Sequence, residues 1–488
     1  MNKIITVDNK YSQFVASQDS YFNAVKKLLS YKEPGVEYTP AYRNGWNGII
    51  YLMDKNGYFL SGLQSRVEEF LKDMGIPFTK EDKRKDISNE NPPLDISHNL
   101  KKLNLIPRDY QERIVESCVN NPKGIIRAAT GSGKSLVSAL IAAKFNKPTI
   151  IYVIGLDLLG QFHKLFSSIF DEEIGFIGNG VCNPKRITIA SIWTVGRALN
   201  PKLKHITVDD ELDQEIYNEN SRNDIIKCIK NAKIHMIDEC HVVTCETVNI
   251  IYKNIDPERV YGLSGTPYRE DGSDLLIEGI LGKKICDVSA SELIEKKVLV
   301  QPIIKFIYVP KMTIHAQNYQ AVYKNYVVEN DIRNNLILKH TKILLEKGYQ
   351  TMVLFKQISH GKELSRLFEE NGVEHALLCG NDKLELRQEV KERLLAKELN
   401  LLIASTIADI GLDIPTLSGL VLAGGGKSNI KVYQRIGRVI RGNPGKKYAA
   451  VVDFYDDVRY LKNHSVIRQN LYESESGFKV IPCNKGKI

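Results

Sequence analysis

What the sequence lacks narrows its reading first. Its eight cysteines, at 118, 182, 228, 240, 245, 286, 379 and 483, include no Cys-x-x-Cys pair. Neither a secreted disulfide scaffold nor a zinc ribbon spaces its thiols this way, so they read as reduced. Cys240, His241 and Cys245 lie close enough to raise a metal site, but Cys240 falls inside an acidic motif that accounts for the grouping better. No stretch approaches the ~20 apolar residues that a membrane span needs. The first ten residues alternate polar and apolar without the apolar core of a signal peptide. The expectation is a cytoplasmic protein with no membrane contact. Repeats at solenoid periods and low-complexity tracts are also missing, so nothing points to a repeat array.

What is there fits a multidomain globular chain. Its 488 residues suit two or three domains, and 43% hydrophobic with 26% charged residues is ordinary for such proteins. A formal charge of +9 favours a polyanionic partner, a weak signal until a motor signature stands beside it. At 79–100 a charged run followed by Pro92-Pro93 reads as a linker, setting off an N-terminal module of residues 1–90. Beyond it, short apolar runs alternate with helical segments. Candidate strands lie at 149–154, 187–192, 234–237 and 260–263, and a second set at 303–309, 351–355, 399–404, 420–423 and 448–454. Helical runs lie at 135–145, 335–346 and 384–397. This alternation implies parallel sheets buried on both faces. A polar joint near 283–302 divides them into domains at 91–290 and 291–488.

The segment 127–135, Arg-Ala-Ala-Thr-Gly-Ser-Gly-Lys-Ser, follows the apolar run 124–126 and opens a helix. Thr130, Gly131, Ser132 and Gly133 supply a backbone that curls around phosphate, Lys134 a point charge for the β- and γ-phosphates, and Ser135 a hydroxyl for Mg²⁺. Ala128 replaces the glycine of the strict phosphate loop. Gly-x-Gly-Lys-[Ser/Thr] arises by chance in roughly a few per cent of chains this long, and the strand–loop–helix setting makes chance a poorer explanation still.

Residues 234–241, Ile-His-Met-Ile-Asp-Glu-Cys-His, are an apolar run ending in two acids. A strand that carries Asp238 to the C-terminal edge of the sheet places it where nucleotides bind, to hold Mg²⁺ through water while Glu239 polarises the attacking water. Alone, such a pair usually marks a solvated turn; its position after a phosphate loop argues otherwise. The polar stretch 200–231 reads as an insertion between the two motifs. Near the C-terminus, 434–441 reads Gln-Arg-Ile-Gly-Arg-Val-Ile-Arg. Arg438 and Arg441, three apart, are expected on one helix face, where they would neutralise the γ-phosphate from the other domain.

The ordered set resembles the superfamily 2 helicases of the Asp-Glu-x-His class over residues 100–460. The resemblance implies a fold of two tandem RecA-like α/β domains behind a small N-terminal α+β domain, with ATP and Mg²⁺ as cofactors. It makes Arg108 and Gln111 the adenine-reading segment, and His241, Ser264, Thr266 and Gln434 the coupling between nucleotide and nucleic acid. Gly411 and Asp413 would face the nucleotide. Thr406 would contact backbone phosphate, and Gln161 and Thr194 would stand in the looser nucleic-acid motifs, although the usual proline near Ile154–Gly155 is replaced and Trp193 is unusually placed. Residues 329–335 and the N-terminal segments 42–51 and 57–62 are similar to phage branch-migration helicases of the UvsW type, which implies branched or forked DNA as substrate, recombination and repair as setting, and the host cytoplasm as location.

Read from its own residues, the N-terminal module holds helices at 20–29 and 63–74 and a hairpin over 49–60 turning at 54–57. Trp46 is expected in its core and Arg43 to be its better DNA contact; Lys80, Lys83, Arg84 and Lys85 read as a solvated linker ahead of the alternative, a basic strap on DNA. RNA, or duplex translocation without strand separation, is the alternative substrate reading. A non-catalytic ATP-gated clamp is disfavoured by the presence of Lys134, Glu239 and Arg441. Both halves of the ATP site lie on one chain, which makes a monomer sufficient.

Overall fold

The computed structural model describes residues 1–483 apart from 34, 85–90, 204–218, 242–245, 267–273, 313–317, 381, 406–413, 427–434 and 444, and apart from the side chains of 38, 246 and 384. It divides into two compact units, residues 1–128 with 133–287, and residues 129–132 with 288–488. Both are RecA-like α/β layers, so the alternation of apolar runs and helices has the meaning expected of it.

In the first unit eight strands run in the order Val181–Asn183, Gly175–Gly178, Ile187–Ser191, Thr149–Val153, Ile234–Asp238, Arg259–Ser264, Lys123–Ala128, Lys284–Val288. Thr149–Val153, Ile187–Ser191, Ile234–Asp238 and Arg259–Ser264 are buried at every position, which is why their sequences show no alternation. Their pairings are parallel, in registers such as Ile237↔Tyr152 and Ile237↔Gly262. Val181–Asn183 closes one edge antiparallel. The polar joint at 283–302 carries regular structure. Lys284–Val288 is a strand of the first sheet and Ala290–Glu295 a helix capped by Ser289. The boundary between the units falls at the last residue of that strand, between Asp287 and Val288.

The second unit has seven strands, ordered Ala376–Leu378, Leu401–Ser405, Thr351–Phe355, Gly419–Val421, Tyr448–Asp456, Gln301–Val309, Lys479–Ile481. Every pairing in it is parallel. Two arginines are buried beneath it. Arg333 donates to Asp456 and to the carbonyl of Ala423; Arg468 donates to both oxygens of Asp453, at 2.8 and 2.9 Å, and to the carbonyls of Gly426 and Phe454.

At the N-terminus a mixed sheet runs Tyr58–Leu60, Tyr11–Val15, Asn2–Thr6, Phe78–Asp82. Ile4, Phe14 and Phe59 pack under the helices Asp19–Leu28 and Gln64–Asp73 through Val25, Val67 and Leu71. The expected hairpin over 49–60 is corrected. Its turn exists, with Asp54 accepting from the amides of Asn56 and Tyr58 and Gly57 at φ +82°. Its strands part after the Met53↔Phe59 bridge: Ile49–Tyr51 pairs with Ser30–Lys32, and Tyr58–Leu60 with Tyr11–Val15. Trp46 is also corrected, being half-buried and outside the core cluster of this sheet. The short helix Pro40–Arg43 and the turn after it leave no strand to carry the indole inward. Gly62 fixes the module to the rest of its unit: a Cβ there would stand 2.1 Å from the Glu278 carbonyl. Arg66 ion-pairs with Glu278, and Lys123 donates to Ser61 and Tyr252.

Candidate ATP site and family membership

The strand Lys123–Ala128 delivers the chain to the loop, and the helix Lys134–Phe145 leaves it. Gly131 and Gly133 have φ of +88° and +81°, a left-handed backbone that side chains resist. Gly133 has a second constraint, since a Cβ there would lie 2.7 Å from Gln111 Nε2. Gln111 is buried, and its Oε1 accepts from the amide of Arg108, capping the helix Asp109–Asn120. Of the two residues expected to read adenine, Gln111 therefore abuts the phosphate loop. Arg108 is exposed and donates to the Tyr110 hydroxyl.

Two strands away, Ile234–Asp238 ends at the same sheet edge, and Glu239 turns at φ +52°, a strained value for a non-glycine residue and typical of functional turns. Lys134 Nζ lies 3.0 Å from Glu239 Oε1. Ser264 donates to Glu239 Oε2 at 3.0 Å, and His241 Nδ1 stands 3.4 Å from Ser264 Oγ and 3.5 Å from Glu239 Oε2. The Thr266 amide donates to Ser264 Oγ. Motif residues from three separate segments thus converge on one carboxylate.

The two acids are driven apart electrostatically. Burial raises the Asp238 carboxyl, and the charge on Glu239 raises it further against the pull of Lys134. Burial also opposes ionisation of Glu239, but the Lys134 ammonium and the His241 hydrogen bond outweigh it and hold Glu239 well below the carboxylate range. Asp238 Oδ1 is buried with no hydrogen-bond partner among the described residues, and Ser135 is half-buried in the first turn of the helix Lys134–Phe145. A buried acid oxygen left open, with a hydroxyl at the start of the helix that leaves the phosphate loop, fits a hydrated Mg²⁺ carried by a nucleotide. No cluster of three or more His, Cys, Asp or Glu among the described residues suits a metal otherwise.

In the second unit Arg438 belongs to the helical turn 435–439, but Arg441 lies beyond it, paired in a bridge with Leu299. The expected shared helix face is therefore corrected: the turn ends two residues early because the amide of Val300 captures the Ile440 carbonyl. Both arginines are half-buried. In the first unit Gln161 is exposed on the helix Leu156–Ile169, whereas Thr194 and Trp193 are buried in the helix Ile192–Leu199. Arg43 is exposed. Thr406, Gly411, Asp413 and Gln434, with Lys85 of the linker, lie outside the described residues.

Residues 104–269 match the family described as "Type III restriction enzyme, res subunit", and residues 333–443 match "Helicase conserved C-terminal domain". Together these span more than half the chain and divide between its two parallel sheets. The chain belongs to the superfamily 2 helicases. This helicase is 29% identical to putative helicase 22 of a Sulfolobus islandicus filamentous virus, over 78% of this chain and 69% of that one. It is 25% identical to the ATP-dependent DNA helicase uvsW of Enterobacteria phage T4, over 94% of each. Its fold is shared with a fragment of a putative HsdR subunit of a type I restriction enzyme from Vibrio vulnificus, at TM-score 0.55 and 19% identity, over 89% of this chain and 79% of that one. As a helicase it is an ATP-dependent enzyme that acts on nucleic acid. No helix among its described residues is long and apolar enough to cross a membrane.

Proposed function

We propose that the helicase is an ATP-driven DNA motor that remodels branched DNA, regressing forks, migrating junctions or unwinding duplex. The observation that carries the motor chemistry is the Lys134–Glu239–Ser264 chain. Lys134 has Glu239 as its counter-ion. An arriving γ-phosphate competes for the ammonium, which releases Glu239 to accept a proton from water. Ser264 and His241, in contact with the same carboxylate, experience that exchange directly and can pass it to the segment that follows. The nucleotide's Mg²⁺, held through water by Asp238 and by the Ser135 hydroxyl, would supply charge neutralisation at the phosphates. Gln111 orients the loop and Gly411 and Asp413 complete the nucleotide contacts in this reading.

Arg438 and Arg441 are assigned to the γ-phosphate from the second domain, which would make hydrolysis conditional on domain closure and so couple it to movement along the strand. Arg441→Ala should keep ATP affinity while lowering kcat by roughly 10³-fold or more, the scale of trans arginines elsewhere. Nucleotide titration beside single-turnover phosphate release separates the two, and an unchanged kcat would remove the arginine from the mechanism.

DNA as substrate is supported by likeness to a DNA helicase over nearly the full length of both chains, N-terminal module included. Branched DNA is supported by the resemblance of residues 42–51, 57–62 and 329–335 to phage branch-migration helicases. Gln161, Thr194, Thr406 and Arg43 are proposed contacts, Thr194 through its backbone, since its side chain is buried. Grip through phosphates would make the motion independent of sequence. Domains at 1–90, 91–290 and 291–488 working within a monomer suffice. ATPase stimulation measured side by side with fork, four-way junction, linear duplex and RNA tests the substrate. Greatest stimulation by fork or junction is expected; an RNA or linear-duplex optimum would replace branched-DNA remodelling with RNA unwinding or duplex translocation.

A further inference from the structure

Four aromatic rings gather in the second unit, outside the ATP motifs. Tyr319 opens the helix Tyr319–Tyr323; its ring lies 6.2 Å from that of Tyr460 at 85°, 5.6 Å from the His464 imidazole and 6.0 Å from Tyr323. The Tyr323 hydroxyl donates to the Gly424 carbonyl at 2.7 Å and anchors this helix beyond the strand Gly419–Val421. Lys356 directly follows the strand Thr351–Phe355, and Arg459 and Tyr460 follow Tyr448–Asp456. The cluster therefore sits at the C-terminal edge of the sheet, where open α/β sheets bind ligands.

Rings that merely seal a core edge would be buried, with neighbouring cations held by acids. Here Tyr319, Tyr460 and His464 are each only half-buried. Lys356 Nζ stands 5.9 Å from the Tyr319 ring and 5.4 Å from Tyr323, and the Arg459 guanidinium 4.9 Å from Tyr460. Both cations are exposed, and neither has a carboxylate partner among the described residues. An acid is at hand and goes elsewhere: Asp457 pairs with Lys462 at 3.0 Å. Tyr460 is held at φ +69°, a value that a non-glycine residue keeps only when its surroundings impose it.

We propose that Tyr319, Tyr460 and His464 form a stacking platform for an unpaired base of single-stranded nucleic acid, with Lys356 and Arg459 taking the flanking phosphates. Aromatic faces accept any base and the cations accept any backbone, so the platform is sequence-tolerant and selects single strands over closed duplex. It rests on the helicase reading and gives that reading a place where a separated strand is held.

The test uses the full chain and fluorescence anisotropy with a labelled oligothymidine, which has little structure of its own, beside a blunt duplex. Tyr319→Leu combined with Tyr460→Leu keeps apolar packing but removes the aromatic faces. It should weaken oligothymidine binding by about tenfold or more and leave duplex binding and basal ATPase unchanged. Tyr319→Phe with Tyr460→Phe should restore wild-type affinity, which a purely structural role of the hydroxyls would not allow. Lys356→Gln with Arg459→Gln, a surface change, should weaken the same complex and reduce its salt dependence; it decides the matter if the leucine pair disturbs folding. Wild-type affinity in both the leucine and glutamine pairs overturns the platform alone. A wild-type protein that binds neither probe overturns the nucleic-acid reading itself.

Discussion

Glu239→Gln is expected to bind ATP normally and to lose roughly 10²–10⁴ in kcat, while Lys134→Ala loses binding and turnover together. The two substitutions break opposite ends of one 3.0 Å ion pair, yet they differ because the partners do different work. The glutamine amide still accepts from Ser264 and fills the same space, so the fold and the phosphate cradle survive; only the capacity to take a proton from water is gone. Alanine at 134 removes the charge that meets the phosphates. It also leaves Glu239 beside Asp238 without its main counter-ion, so the pair should take up a proton more readily. Titration with a fluorescent ATP analogue and steady-state phosphate release distinguish these outcomes. A Glu239→Gln enzyme with wild-type turnover would show that another group activates the water.

Arg468→Met should destabilise the second unit by about 3–5 kcal/mol, the usual cost of stranding one member of a buried ion pair. The Arg468 guanidinium is almost wholly buried, and so is Asp453. After the substitution Asp453 keeps the Tyr472 hydroxyl and the Phe454 amide, which donate to it at 2.8 and 2.7 Å, but no charge to offset its own, and the carbonyls of Gly426 and Phe454 lose a donor. Adding Asp453→Leu should recover much of the loss, because the uncompensated charge goes with it. Hydrogen exchange of peptides from the strand Tyr448–Asp456 and the helix Leu461–Glu473 reports this unit separately, which matters in a chain of two units where one melting temperature mixes both. Equal protection in the wild type and the single variant would mean that Asp453 finds water or a proton at little cost.

The segments that meet at Glu239 were legible because each motif is local. A glycine-rich turn before a helix, or two acids ending an apolar run, is visible within ten residues. Strands such as Ile234–Asp238 were legible because burial on both faces leaves unbroken apolar runs. Short edge strands such as Val181–Asn183 and Lys479–Ile481 were not, since their alternation or polarity matches that of loops. The hairpin at 49–60 misled because its Asp-Lys-Asn-Gly turn is real; only the partners of its strands differ. Arg441 misled because three-residue spacing implies a shared face only while the helix continues, and a bridge to Leu299 ends it. Nothing local marked Tyr319, Tyr460 and Lys356 as neighbours.

By itself, the amino-acid sequence determined the chemical vocabulary of this helicase: a glycine-rich loop, an acid pair, a closely spaced pair of arginines and two sets of buried parallel strands, all encoded in short-range composition and period. Tertiary structure alone decided which groups meet. Lys134 finds Glu239 across 105 residues, and Arg468 finds Asp453 beneath the second sheet. Those encounters depend on strand order and on the competition among buried charges for the few partners within reach, neither of which leaves a periodic trace along the chain.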